Sequence, residues 1–348
     1  MSNVVTIITV LLAHGRFGIQ AVAAAMLIGS VVHVAVLALV LWRHGFQYRW
    51  ILEFADPKLR SILRSFRYPL IGHVLGESGM LLQNVLGSFL GSGSVTVLRY
   101  ASRIVQAIAG ILLGSIVQVT LPLIAKHAAA NDLRVQRRTL LESIQLLSVI
   151  GLPVSIWLAV TAEPLIVLLF ERGQFTRADA ALTGIIIQLM IPDVLLGRIV
   201  SATQTLFYAN LEMRTPLIST LIFTFVNAIS AIALVRLLGV LAVPIAVSLA
   251  SLSNTTYMLA KLHTRFGPVG WRKLRGFAFR LAAASLIGTA ALVIGTKLAT
   301  VATVSYPMAK LLDVALPTIF GMCSFTFAVF LFRLIDGHLL VPVRGRFS

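Results

Sequence analysis

Acidic side chains are scarce: Asp and Glu together number 12 in 348 residues, against 29 Lys and Arg, and charged residues of both signs make up only 12%. Soluble domains carry about twice that share, so no water-soluble globular domain is expected anywhere in the chain. Cysteine is nearly absent too. Cys323 alone cannot form an internal disulfide, and no cysteine cluster is available to hold zinc. No HExxH pair, no lysine after a glycine loop and no serine in a GxSxG setting occurs, so we expect no catalytic residue, no metal and no cofactor. A basic stretch ahead of an apolar core, with a small-residue cleavage site, is not evident at the start, which argues against a secretory signal peptide.

What is abundant is apolar: 58% of residues are hydrophobic and the mean hydropathy is +0.94. A helix needs about 20 mainly apolar residues to cross the hydrocarbon core. Nine windows of that kind lie near 17–42, 68–91, 95–124, 139–169, 180–208, 215–235, 240–260, 276–296 and 311–332. The opening run VVTIITVLLA is apolar but only half as long as a span, so it reads as a partial helix. Membrane barrels instead alternate apolar and polar residues in short segments, and these runs do not. The expected fold is all-α: a polytopic membrane helix bundle of about nine full spans plus an N-terminal partial one.

The formal charge of +17 raises nucleic acid as a partner, but the placement of the charge argues for orientation in a membrane. With the loop after the first full span on the inside, the inner segments hold the clusters Arg43 to Arg67, Lys126 to Arg138 and Lys261 to Arg275, together with Arg214 and the terminal arginines. The outer segments hold only Arg16, Arg172, Arg177, Arg236, Lys297 and Lys310. Anionic membrane lipids, not nucleic acid, are therefore the expected partner of the basic face. Within 43–67, Leu59, Ile62, Leu63 and Phe66 recur at helical spacing after Asp56 and Pro57, which predicts an amphipathic helix on the inner surface. SGS at 92–94 predicts a tight hairpin between two spans.

Charges inside spans are costly, about 3 kcal/mol or more at mid-bilayer, and usually face a wet cavity or a partner. The candidates are Glu77, Arg99, Arg103, Asp193, Arg198, Arg280 and Asp313. Arg280 and Asp313 are close enough to helix ends to snorkel. Asp193 and Arg198 are five residues apart, a poor spacing for a pair within one helix. In VLRYASRIVQAIAG, Arg99 and Arg103 are four residues apart and emerge from one helix face. Such a pair suits either the oxygens of a phosphate-bearing ligand or a salt bridge, for which Glu77 on the preceding span is the available acid. Glu77 itself, with Gln83 and Asn84, makes the span at 68–91 partly polar. It reads equally as a coupling-ion or proton site and as an arginine partner.

Three blocks in order, SGSVTVLRYASRIVQAIAGILLGSIVQVTLPLIAK, EPLIVLLFERGQFT and LFYANLEMRTP, resemble the MurJ/MviN family of lipid II flippases, and the likeness extends roughly over 10–335. The resemblance implies alternating access around a cationic cavity. The cargo it implies is lipid II, the undecaprenyl-pyrophosphate-linked peptidoglycan precursor, moved across the bacterial inner membrane. By its place in YASR, where the family usually has YADR, Arg103 matches a cavity arginine, so Arg103 and Arg99 become candidates for holding pyrophosphate. Glu77, Asn84, Asp193 and Arg198 become candidates for ion coupling or cavity lining, Asn84 standing where the family often has an acid.

Laid on the fourteen spans of that family, residues 1–45 look like the remnant of a first lobe. Residues 46–67 form the linker, 68–262 a complete second six-helix lobe and 274–335 a final helix pair. The expectation is a chain lacking four to five leading helices, with a separate N-terminal lobe fragment as a conceivable partner. Alternatives to a working flippase are a split or inactive relative and an exporter of another lipid-linked oligosaccharide. The sharp break FERGQFT at 170–176 reads as a helix-to-helix corner on the outer face, with Gly173 as a stop and Thr176 and Asp179 as a capping box. The competing role for its Glu171 and Arg172 is a gate or substrate contact.

Overall fold

Glycine, aspartate and threonine divide the apolar runs, and the runs fold as helices. The computed structural model describes residues 2–46, 57–91, 93–130, 132–267, 271–301, 306–332 and 334. Among these residues every regular element is helical. Residues 1–62 and 63–348 form two units.

In the first unit, α1 (Ser2–Phe17) and α2 (Ile19–Arg43) form a hairpin turned at Gly18, whose φ of +53° falls in the region open to glycine. The Thr6 hydroxyl donates to the Ala25 carbonyl across it at 3.3 Å. α1 is the expected short apolar helix, and α2 the expected full span.

The helix α3 (Pro57–Phe89) starts at the proline predicted to open the surface helix. Here the structure corrects the sequence reading. The amphipathic segment and the span at 68–91 are one continuous 33-residue helix, whose backbone runs unbroken through Pro69. Asp56 and the rest of 47–56 lie outside the described residues. The turn at 91–93 uses Gly91 (φ +110°) and Gly93 (φ +90°), as the SGS hairpin requires.

A second correction concerns 95–124. It is interrupted at Leu113, giving α4 (Ser94–Leu112) and α5 (Gly114–Ala129). Glycines at 110 and 114 flank the break and remove the side-chain packing that would stiffen the helix there. Leu113 is fully buried. Then follow α6 (Leu133–Phe170), α7 (Arg177–Ala209), α8 (Arg214–Leu238), a short 3₁₀ turn at 239–241, α9 (Ala242–Phe266), α10 (Trp271–Val301) and α11 (Tyr306–Leu331).

Within the second unit α7 is the hub, touching α4, α5, α6 and α9, while α8 pairs with α9 and α10 with α11. The main apolar cluster runs through α4, α6 and α7, with Leu140, Leu147, Ile166, Ile186 and Leu206 fully buried. The α10–α11 pair docks on α6 through Val149, Leu281, Ala284 and Ala328, and Trp157 Nε1 donates to Thr318 Oγ1 at 2.8 Å. Outward faces stay apolar: Ile218, Phe225, Ile229, Phe279, Leu286 and Phe327 are all exposed, a surface suited to lipid or to a packed partner and not to water. Seven helical stretches are long and apolar enough to cross a membrane, and one of them, 214–266, comprises both α8 and α9. The chain is a multi-pass membrane protein.

Contacts between connecting segments agree with the orientation derived from charge. Glu171 and Lys310, both assigned outside, form an ion pair at 2.6 Å. On the inside, Asn210 Nδ2 donates to Gln136 Oε1 at 2.7 Å, and Arg137 Nη1 reaches the Phe266 carbonyl at 3.5 Å.

Candidate functional site

The amphipathic pattern of α4 places the site. Its buried residues are Val97, Leu98, Ala101, Val105 and Ala109, which bind it mainly to α7. Arg99, Arg103, Gln106 and Gly110 fall within an arc of about 60° on the opposite side, and all four are exposed. Arg103 lies about 13 Å along the helix from its outer end. A guanidinium at that depth cannot rest against hydrocarbon without a large cost, so this face of α4 requires water or a polar partner against it.

The two arginines have different surroundings. Arg99 Nε donates to Asn84 Oδ1 of α3 at 3.1 Å. Arg103 has no hydrogen bond or ion pair among the described residues. The salt bridge to Glu77 weighed from the sequence is therefore not made by either one. The reason is register: the 91–93 turn sets α3 and α4 so that 84 meets 99. Glu77 then lies about 10 Å further along α3, toward the inner side. Glu77 is exposed, and Gln83 and Asn84 are half-buried.

Asp193 and Arg198, both half-buried on α7, do not pair with each other. Asp193 accepts a short hydrogen bond from Ser251 of α9, and Ser248 donates to the Leu189 carbonyl at 2.5 Å, so this region ties α7 to α9. Arg280 is exposed on α10 and Asp313 half-buried on α11; neither joins the α4 face in any described contact.

Sequence reasoning missed two polar groups beside the site. Asn227 of α8 is 2% exposed and its Oδ1 has no hydrogen-bond partner among the described residues; it faces Gly79 of α3, where an added Cβ would sit 3.6 Å from Asn227 Nδ2. Gln204, Ser219 and Asn254 form a chain through α7, α8 and α9, at 3.4 and 2.5 Å. An asparagine in the run IFTFVNAIS was the available signal for the first. Among the described residues no group of three or more His, Cys, Asp or Glu is arranged to hold a metal ion.

The outer corner is built as its sequence predicted. Gly173 has φ +60°. Thr176 Oγ1 accepts from the Asp179 backbone N–H at 3.3 Å while Asp179 Oδ2 accepts from the Thr176 N–H at 2.9 Å. The ring of Tyr100 stacks on Phe170 with centroids 4.5 Å apart and leans on Phe175 at 5.5 Å, so this corner packs directly on the arginine helix.

A family model described as "Lipid II flippase MurJ" matches residues 1–312. The chain belongs to that family. A probable lipid II flippase MurJ of Helicobacter pylori is 30% identical over 208 residues, 59% of this chain and 44% of that protein. The Rickettsia prowazekii relative is 22% identical over 276 residues, covering 77% and 54%, and that of Bdellovibrio bacteriovorus 25% over 237 residues, covering 68% and 45%. The chain thus spans about half the length of the curated relatives it matches. A solved structure titled "Lipid II flippase MurJ, inward closed conformation" superposes with a TM-score of 0.74 at 22% identity, covering 96% of this chain and 67% of that one; the fold is the same. Two of the sequence blocks that carry the MurJ resemblance, YASR and FERGQFT, are the ones joined by the Tyr100–Phe170 stack.

Proposed function

We propose that this chain forms the arginine-bearing lobe of a flippase for lipid II, or for a closely similar undecaprenyl-pyrophosphate-linked precursor, in the bacterial inner membrane. The observation that carries it is the exposed, cationic face of α4, backed by the packed face that fixes it to α7. Arg103 offers its whole planar fork to pyrophosphate oxygens. Arg99, held by Asn84, orients beside it, so we assign Asn84 and Glu77 to the cavity lining on α3. Asp193, bonded to Ser251, serves the α7–α9 seam and not the cargo. No covalent chemistry is required: the lobe binds, and a change in access moves the cargo.

We also infer nine full crossings, counting α3 as one despite its polar residues. A six-helix lobe then spans 68–262, with α10 and α11 as a separate pair near 274–335. The residues before 46 belong to another lobe.

The test is binding of the purified precursor to the full chain in nanodiscs, with transport measured in a flippase-depleted strain expressing the chain alone and beside an N-terminal lobe fragment. Arg103→Ala should weaken precursor binding about tenfold, the size of one lost charge-assisted contact. Unchanged binding and transport in Arg103→Ala would sink the assignment.

A further inference from the structure

A second cationic cluster lies at the opposite, inner end of the lobe, where α3 meets α8. Arg67 Nη2 donates to the Tyr68 hydroxyl oxygen at 2.8 Å, its guanidinium carbon 4.7 Å from the Tyr68 ring centroid. Arg214, at the start of α8, lies near enough to the same phenol to act on it electrostatically. That oxygen has two lone pairs, whereas the two guanidinium groups bring ten N–H donors. Among the described residues neither arginine has a carboxylate partner. Glu212, two residues before Arg214, is already engaged by Thr215 at 2.5 Å and lies 4.0 Å from Arg265. The N-terminus of α8 has no side-chain cap, which adds further unsatisfied N–H groups.

Beside this cluster opens a cavity of about 260 Å³ lined by Tyr68, His73, Tyr208, Met213, Pro216 and Thr220. Its lining combines apolar side chains with hydroxyl and imidazole groups. The site is thus rich in donors, poor in acceptors, positively charged, and placed on the inner side by the charge pattern of the loops. Exposed Leu70 and Ile71 on α3 and Ile218 on α8 lie close in sequence to the lining residues and offer a surface for acyl chains.

We propose that this cavity binds the phosphate of an anionic phospholipid of the inner leaflet, with Arg67 and Arg214 gripping its oxygens and the cavity receiving the polar remainder of the headgroup. Phosphate supplies several charged acceptors where the protein supplies one neutral phenol oxygen. The proposal rests on the membrane orientation and not on the transport reading, so a chain carrying Arg103→Ala should bind this lipid as the parent does.

The experiment uses the full chain in nanodiscs of zwitterionic lipid, titrated with phosphatidylglycerol and read by native mass spectrometry and by thermal shift. Phosphatidylglycerol should bind in preference to phosphatidylcholine, and Arg67→Gln or Arg214→Gln should each weaken it about tenfold, with Arg→Lys restoring part of the loss. The melting temperature in zwitterionic lipid alone reports folding. If the double variant does not fold, Arg67→Gln, on an exposed side chain, carries the test. Inorganic phosphate that displaces phosphatidylglycerol from the parent supports the phosphate chemistry. Phosphate binding without any preference for phosphatidylglycerol overturns the lipid as the source, and equal phosphatidylglycerol binding by parent and double variant overturns the site.

Discussion

Glu171 sits in the outer corner, and its partner decides whether that corner is a fastening or a gate. Glu171 Oε2 lies 2.6 Å from Lys310 Nζ of α11, with the two side chains only 17% and 20% exposed. Two unit charges at that distance attract by about 6 kcal/mol at an effective dielectric near 20. Desolvation of both ions offsets much of this. The pair is closer to buried than to exposed, so neutralising one partner by Glu171→Gln or Lys310→Met should cost about 2–3 kcal/mol, between the exposed and the fully buried cases. The double variant should lose little more than either single one, because it strands no charge. A double-mutant cycle on unfolding in nanodiscs measures this coupling, with precursor transport followed in parallel. If the pair is a fastening, transport falls only as far as stability does. Additive losses would refute the pairing argument. A Glu171→Gln chain that is fully stable yet transports nothing would make Glu171 a gate or substrate contact.

Close helix approach and capping give two further tests. A Cβ at Gly295 of α10 would lie 2.8 Å from the Pro317 Cα of α11, against backbone that cannot rotate away, whereas Gly76 on α3 has open space. Gly295→Ala should therefore destabilise by about 1–3 kcal/mol and Gly76→Ala hardly at all, read as melting temperatures side by side. Thr176→Ala removes one half of the capping box and should cost about 1 kcal/mol, and adding Asp179→Ala should cost less than the sum of the two, because each side chain serves the other's backbone.

Much of this was legible in the sequence where the cause is local. Gly173 stops a helix through its own backbone freedom, and Thr176 with Asp179 caps the next through contacts three residues apart. The four-residue spacing of Arg99 and Arg103 fixes their shared face without any knowledge of the neighbours. Misread features depend on the chain meeting itself. Asn84 rather than Glu77 meets Arg99 because of a hairpin register. The break at Leu113 has no proline to announce it, and Pro69, which could have marked a break, sits inside α3 instead. The convergence of Arg67 and Arg214 on Tyr68 joins positions nearly 150 residues apart, which no periodicity records.

In a bilayer the lipid is as apolar as a leucine side chain, so helices hold together by close packing of small residues and by hydrogen bonds. The second unit uses both, unequally. Gly184 of α7 comes so near the Glu163 backbone of α6 that an added Cβ would meet it at 3.1 Å, Gly295 of α10 meets the Pro317 backbone of α11 in the same way, and Gly321 of α11 makes room for the Leu292 side chain of α10. Among the described residues of α3, the glycines at 72, 76 and 79 make no such lock. Gly72 and Gly79 leave ordinary contact distances of 3.9 and 3.6 Å to α8 and Gly76 faces open space, while the link from Thr224 Oγ1 to the Leu75 carbonyl at 3.2 Å is a hydrogen bond and not an interlocked backbone. Hydrogen bonds can be exchanged for water or for a ligand's oxygens, whereas interpenetrating backbones cannot. Among the described residues the contacts of α3 are thus the exchangeable kind, while α4 packs against α7. The Arg99–Asn84 bond is one of these exchangeable contacts, so Asn84→Ala should lower the melting temperature no more than the loss of a single hydrogen bond, about 1 kcal/mol, and a larger loss would show that α3 is held more firmly than its contacts imply.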